Sequence, residues 1–138
     1  MPEPGAFYGR PVDPDPAVRG RRILVVEDDY MLARELQQEL EDAGTEVLGP
    51  VPTVEDALAL LAAEVVPPDA AILDVNLGGQ LAYPLADHLR EQGVPFVLAT
   101  GYDAQSIPAA YANVPRCEKP LDVRRCLRAL FGEGTRAL

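Results

Sequence analysis

The sequence predicts an α/β protein in which five parallel strands form one doubly wound sheet, flanked by five helices. Three observations carry this expectation. Short aliphatic runs such as residues 23–26, 70–73 and 95–99 have the look of strands buried on both faces. Segments of helical period lie between them, several closed by a glycine. Strands and helices also alternate strictly, which demands a parallel sheet covered on both sides.

The elements follow in order. Residues 1–20 hold five prolines and three glycines without an apolar period, and read as a flexible or extended arm. Arg19, Arg21 and Arg22 precede the first strand and are most simply solvated charges. The folded domain is expected over residues 21–132, with 133–138 as a tail. After the first strand, Met31, Leu32, Leu36, Leu40 and Ala43 define the apolar face of a helix that stops at Gly44. A short strand over residues 46–51 precedes Thr53-Val54-Glu55-Asp56, an N-cap followed by first-turn acids. Pro67-Pro68 ends that helix, and the third strand runs to Asp74. Gly78-Gly79 is a loop, and the helix after it uses Leu81, Leu85, Ala86 and Leu89. The fourth strand reaches Thr100, residues 104–112 form a weak helix interrupted by Pro108, and the fifth strand lies near residues 114–118. Val123, Cys126, Leu127 and Leu130 give the last helix its stripe, with Asp122 as N-cap.

Composition narrows the function. The 138 residues suit one domain, and 22 acids against 12 bases give a formal charge of −10. That balance offers no footprint for nucleic acid or an anionic membrane, and it favours a cation as ligand. No apolar run approaches a bilayer span and no signal-peptide pattern opens the chain, so a cytoplasmic protein is expected. Cys117 and Cys126 lie outside metal-knuckle and redox spacings and read as plain thiols of a reducing compartment.

The chemistry gathers where the strands end. Glu27-Asp28-Asp29, Asp74, Thr100 and Lys119 each follow an apolar run, and parallel sheets bind ligands beyond their carboxyl edge. Each residue has a plainer reading alone: a helix-dipole complement, a turn, a strand-end hydroxyl, a solvated amine. Their conjunction on successive strand ends points to a site. Close carboxylates need a cation, and a hard oxygen-lined site suits Mg²⁺. A carboxylate beside Mg²⁺, a Lys and a hydroxyl is what a phosphoryl acceptor requires.

With these motifs, residues 21–132 resemble a response-regulator receiver domain of two-component signalling, a flavodoxin-like (βα)5 fold. The string Ala99-Thr100-Gly101-Tyr102 further resembles a subset of stand-alone receivers. The resemblance implies that Asp74 accepts phosphate from a histidine kinase or a histidine phosphotransfer protein. It implies a Mg²⁺ site made by Asp28 directly, Glu27 largely through water, Asp74, and the backbone carbonyl of Asn76. Thr100 would move toward the phosphoryl group, Lys119 would pair with it, and the bond before Pro120 would be cis. Asp29 would face out or cap the helix. Two departures stand out. Leu77-Gly78-Gly79 replaces a common Met-Pro, which suggests a freer loop, and Arg116 occupies a position that usually carries an aromatic switch residue. Tyr102 is then the nearest candidate for an aromatic gate.

The expected function is a single-domain regulator, since only six residues follow Gly132. It would switch protein–protein interactions with an unidentified downstream protein or act as a phosphate relay or sink, as a monomer or a phosphorylation-dependent dimer. Its own catalysis would be limited to Mg²⁺-dependent self-phosphorylation and autodephosphorylation. A small phosphatase with an aspartyl-phosphate intermediate would want an acid where Asn76 stands. A nucleotide- or flavin-binding domain would want glycines where Glu27-Asp28-Asp29 stands.

Overall fold

In a computed structural model of the chain, residues 17–101 and 107–132 are described. Most of the N-terminal arm, Tyr102, residues 103–106 and the tail at 133–138 lie outside them. Among the described residues there are seven strands: β1 (Arg22–Val26), β2 (Glu46–Val51), β3 (Ala70–Asp74), β4 (Asn76–Leu77), β5 (Gln80–Leu81), β6 (Phe96–Thr100) and β7 (Arg116–Glu118). Four α-helices accompany them: α1 (Tyr30–Asp42), α2 (Val54–Ala63), α3 (Tyr83–Glu91) and α4 (Val123–Phe131). The main sheet is parallel and ordered β2-β1-β3-β6-β7.

Period-two alternation along the strands builds two cores. Leu24, Val26, Ala71, Leu73, Phe96 and Leu98 face one layer, with Ala57 and Leu61 of α2 and Leu85, Ala86 and Leu89 of α3. Ile23, Val25, Ala70, Ile72 and Val97 face the other, with Leu36 and Leu40 of α1 and Cys126, Leu127 and Leu130 of α4. The central strands are therefore apolar at every position, and their polar residues can appear only at the ends.

Caps fall where the sequence puts them. Asp29, Thr53 and Asp122 each accept a hydrogen bond from a backbone N–H of the first turn, from Leu32, Asp56 and Arg125 respectively. Pro108 sits just before a single 3-10 turn, Ala109–Tyr111, in the second half of the segment predicted as a weak helix.

Four expectations change, the first being Leu81, which lies exposed in β5 and not on the apolar face of α3. Met31 is 66% exposed, and Ala33 takes its place in the buried stripe with Leu36 and Leu40. Met31 lies about 140° around the helix from Leu36 and cannot share its face. Arg21 and Arg22 are not merely solvated. Arg22 pairs with Glu64 and donates to the carbonyls of Val66 and Pro67, which ties β1 to the connection before β3. Arg21 lies over the Phe131 ring, 5.1 Å from its centroid, and 3.8 Å from Asp69. The Leu77-Gly78-Gly79 segment is also not free, because β4 and β5 close it as an antiparallel hairpin with Leu77 opposite Gln80. Gly78 and Gly79 have φ of 64° and 93°, the left-handed pair that a two-residue hairpin turn needs.

Gly49 is constrained by both its backbone angle and its neighbours. Its φ is 90°, and a Cβ there would lie 2.8 Å from the Val51 nitrogen and 3.1 Å from the Val25 carbonyl oxygen. The β1–β2 register shifts at this point, between Leu24 and Val26, so that Val51 pairs with Val26 and its carbonyl accepts the Glu27 N–H at 3.0 Å. Gly49→Ala should destabilise the fold by about 1–3 kcal/mol, through backbone strain and contact with β1. Urea denaturation would measure this as a lower midpoint with an unchanged slope.

Candidate functional site

Four neighbouring strands deliver their terminal residues to one edge. Val26 pairs with Leu73, Asp74 with Ala99, and Thr100 with Glu118, so Glu27, Asp74, Thr100 and Lys119 follow or complete adjacent strands at the same level. Glu27, Asp74 and Thr100 are buried, whereas Asp28 is exposed. Carboxylate oxygens of Glu27, Asp28 and Asp74 all lie within 4.8 Å of one another.

Lys119 holds the buried pair together. Its Nζ is 2.8 Å from Asp74 Oδ2 and 3.1 Å from Glu27 Oε1. Burial lowers the Lys119 pKa, but the hydrogen bonds and charges of Asp74 and Glu27 outweigh it and hold the amine above its usual value. Its backbone N–H donates to the Thr100 carbonyl at 2.8 Å, which fixes where the side chain leaves the sheet. The Lys119–Pro120 bond is cis.

The remaining partners orient the carboxylates. Glu27 Oε2 accepts the Asp29 N–H at 3.0 Å, and Asp74 Oδ1 accepts the Asn76 N–H at 3.1 Å. The Asn76 side chain accepts the Gly79 N–H at 2.8 Å, so the hairpin and the acid are braced by one residue. The hairpin also approaches the acidic pair, since a Cβ on Gly78 would lie 3.6 Å from Asp28 Oδ2. Thr100 Oγ1 is buried without a hydrogen-bond partner among the described residues. An unsatisfied buried hydroxyl costs roughly 1–3 kcal/mol, so the site is incomplete around it.

Electrostatics bear on what this cluster could hold. Burial, reinforced by Asp74, pushes the Glu27 carboxyl up to about 7, against the lowering effect of the Asp29 N–H and Lys119. One amine does not fully compensate this cluster. An all-oxygen set with two buried carboxylates and one exposed carboxylate fits a hard divalent cation such as Mg²⁺. Held by Asp28, Asp74 and Glu27, such an ion would supply positive charge for oxygens brought to Asp74.

The predicted residues Glu27, Asp28, Asp74, Thr100 and Lys119 thus meet at one edge, with Asn76 adjoining through its amide, while Asp29 caps α1 instead. Tyr102 lies outside the described residues. Arg116 is exposed, and its charge acts on the phenol of Tyr83. Tyr83 stacks on Tyr111 with ring centroids 4.7 Å apart, and the Tyr111 hydroxyl bonds Asp87 while Arg90 covers its ring at 5.0 Å. No local signal marks Tyr83 and Tyr111 as partners, because they meet only when α3 packs beside the 3-10 turn.

The comparisons agree with this geometry. The family described as response regulator receiver domain matches residues 23–115, and the chain belongs to it. It carries the receiver domain of two-component signalling. The solution structure of SdrG from Sphingomonas melonis Fr1 is 38% identical with a TM-score of 0.70, covering 84% of this chain and 98% of that one. The BeF3-activated conformation of SdrG from Pseudomonas melonis Fr1 is 39% identical with a TM-score of 0.69, covering 79% and 94%. PhyR from Brucella abortus shares the fold at 20% identity and a TM-score of 0.70, over 93% of this chain and 53% of that one. No curated protein matches the chain. No helix among the described residues is long and apolar enough to cross a membrane.

The raised Glu27 pKa has a thermodynamic signature. The folded state holds the Glu27 proton from about 4.5 to 7 while the unfolded chain releases it. The folded pKa lies above the unfolded one, so this contribution to stability is complete at low pH and is lost as pH rises through 7. Without added metal, wild type should lose on the order of 2–3 kcal/mol across that window relative to Glu27→Gln. Urea midpoints measured at a series of pH values test this, and parallel profiles would contradict it.

Proposed function

We propose that Asp74 is the phosphoacceptor of a phosphorylation-switched interaction module that works with Mg²⁺. The observation that carries this reading is the Lys119 ammonium bridging Asp74 and Glu27 at 2.8 and 3.1 Å, beside the unpartnered Thr100 hydroxyl. An Asp74 carboxylate oxygen attacks the phosphorus of a phosphoimidazole. The new O–P bond forms as the P–N bond breaks, and the imidazole leaves with its electron pair and takes up a proton. Lys119 neutralises a phosphoryl oxygen, and Thr100 donates its free O–H to another. Asp28, Asp74, Glu27 and the Asn76 carbonyl would hold Mg²⁺, which would supply further charge neutralisation. The likeness to SdrG, which has a BeF3-activated conformation, supports a switch of this kind.

The donor is a histidine kinase or histidine phosphotransfer protein. A groove lined by Leu32, Leu36 and Leu121 together with the charged Glu27, Glu35, Glu39 and Lys119 opens beside the site, and the exposed Tyr30 and Met31 stand at the start of the adjoining α1. Such apolar groups next to a reacting carboxylate suit a docking partner. Output runs through the 3-10 turn, β7 and α4 to an unidentified downstream protein, with Arg116 remaining at the surface of that face. The chain acts as a single-domain regulator or phosphate relay, and as an enzyme only on itself.

Incubation with Mg²⁺ and acetyl phosphate should give one acid-stable, base-labile phosphoryl adduct by intact mass. Asp74→Asn should abolish it, and equal labelling in that variant would overturn the assignment. In metal titrations, Asp28→Asn should weaken Mg²⁺ binding by about tenfold or more, while Asp29→Asn, which removes an exposed charge but keeps an oxygen able to cap α1, leaves it nearly unchanged. The reverse order would contradict the proposed ligand set.

A further inference from the structure

The phosphoryl site leaves one reactive pair unused. Cys117 in β7 and Cys126 in α4 are both free thiols, and their sulfurs are 3.0 Å apart, with Cys126 donating to Cys117. Cys126 is fully buried in the core layer under α4, whereas Cys117 is only partly covered and lies on β7, where a reagent can reach it. We propose that Cys117 and Cys126 form a reversible intramolecular disulfide, a modification site that braces the Lys119 segment between β7 and α4.

The chemistry is asymmetric. The hydrogen bond from Cys126, aided by the Arg125 charge, brings the Cys117 thiol down to about 7 despite its burial and the nearby Asp122. That bond, burial and the Cys117 charge hold Cys126 well above the usual thiol range. Cys117, partly exposed and with its thiol drawn down toward neutrality, is therefore the attacking sulfur, and the buried Cys126 beside it the resolving thiol. With a hydroperoxide as oxidant, the Cys117 sulfur attacks the distal oxygen. An S–O bond forms, the O–O bond breaks, and the leaving alkoxide or hydroxide takes a proton. Cys126 then attacks the sulfenic sulfur of Cys117. The S–S bond forms, the S–O bond breaks, and the released hydroxide leaves as water with the Cys126 proton. Two thiols lose two electrons and the peroxide gains them. Bond formation needs the sulfurs to close by about an ångström, toward ~2.05 Å.

The residues are nine apart, so the closed ring contains residues 118–125, with Lys119 and Pro120 among them. The N–H of Lys119 donates to Thr100, so its exchange with solvent reports opening of this segment. The brace rests on thiol chemistry and remains testable if Asp74 accepts no phosphate.

The full chain is treated with limiting hydrogen peroxide, and thiols, intact mass and amide exchange are followed. Expected is loss of both thiols, a mass lower by about two hydrogens, and no intermolecular dimer, all reversed by dithiothreitol. Exchange of the Lys119 N–H should slow several-fold in the oxidised form. In Cys126→Ser, Cys117 should gain oxygen or glutathione, and in Cys117→Ser the remaining thiol should persist. In unmodified protein, Cys117 should alkylate about tenfold faster than Cys126, a readout that needs no variant to fold. Persistence of both thiols at peroxide levels that oxidise glutathione would overturn the disulfide, as would oxygen addition at Cys117 without pairing. An unchanged Lys119 exchange rate in the oxidised form would overturn the brace.

Discussion

Everything at the carboxyl edge depends on keeping acidic groups together in a place shielded from water. Two carboxylates about 4 Å apart repel by roughly 4 kcal/mol at an effective dielectric near 20. Lys119 offsets this for Glu27 and Asp74 by bonding both, yet Glu27 still titrates near neutrality because it is buried beside Asp74. The fold therefore holds an uncompensated electrostatic arrangement that a cation held there would relax. Such preorganisation suits a reaction whose main demand is charge neutralisation rather than proton transfer.

The scaffold has to hold that arrangement against its own repulsion. It does so from the backbone, since β1, β3, β6 and β7 are neighbours and end level with one another. The bulge at Gly49 gives the Glu27 N–H its acceptor on Val51, and the Thr100 carbonyl anchors the Lys119 N–H. The hairpin behind Asn76 fixes the Asp74 carboxylate from the other side. Side chains that carry charge are thus positioned by ladder hydrogen bonds, which the repulsion cannot easily displace.

The sequence revealed what depends on local pattern. Strand and helix order, the caps at Asp29, Thr53 and Asp122, and the gathering of Glu27, Asp28, Asp74, Thr100 and Lys119 all follow from period, cap chemistry and parallel topology. Features made by long-range packing were not legible. Tyr83 meets Tyr111 across two elements, and Cys117 meets Cys126 only because a strand end turns back beneath the helix that follows it. Arg22 reads as a solvated charge before the first strand until the chain before β3 folds alongside it. Gly78-Gly79 shows the opposite error: flexibility assigned to glycines that a hairpin uses for their left-handed φ. Met31 was misplaced by adjacency to Leu32, where rotation about the helix axis decides which side is buried.

The central claim is that Glu27, Asp28, Asp74, Thr100 and Lys119 form one site completed by a cation and a tetrahedral anion. Fluorine NMR with Mg²⁺ and beryllofluoride measures this most directly, because the complex is isosteric with a phosphoryl group and needs no kinase. The account predicts bound fluorine resonances that require both Mg²⁺ and Asp74, together with a shift of the Thr100 amide. Bound resonances that persist in Asp74→Asn, or form equally without Mg²⁺, would contradict it.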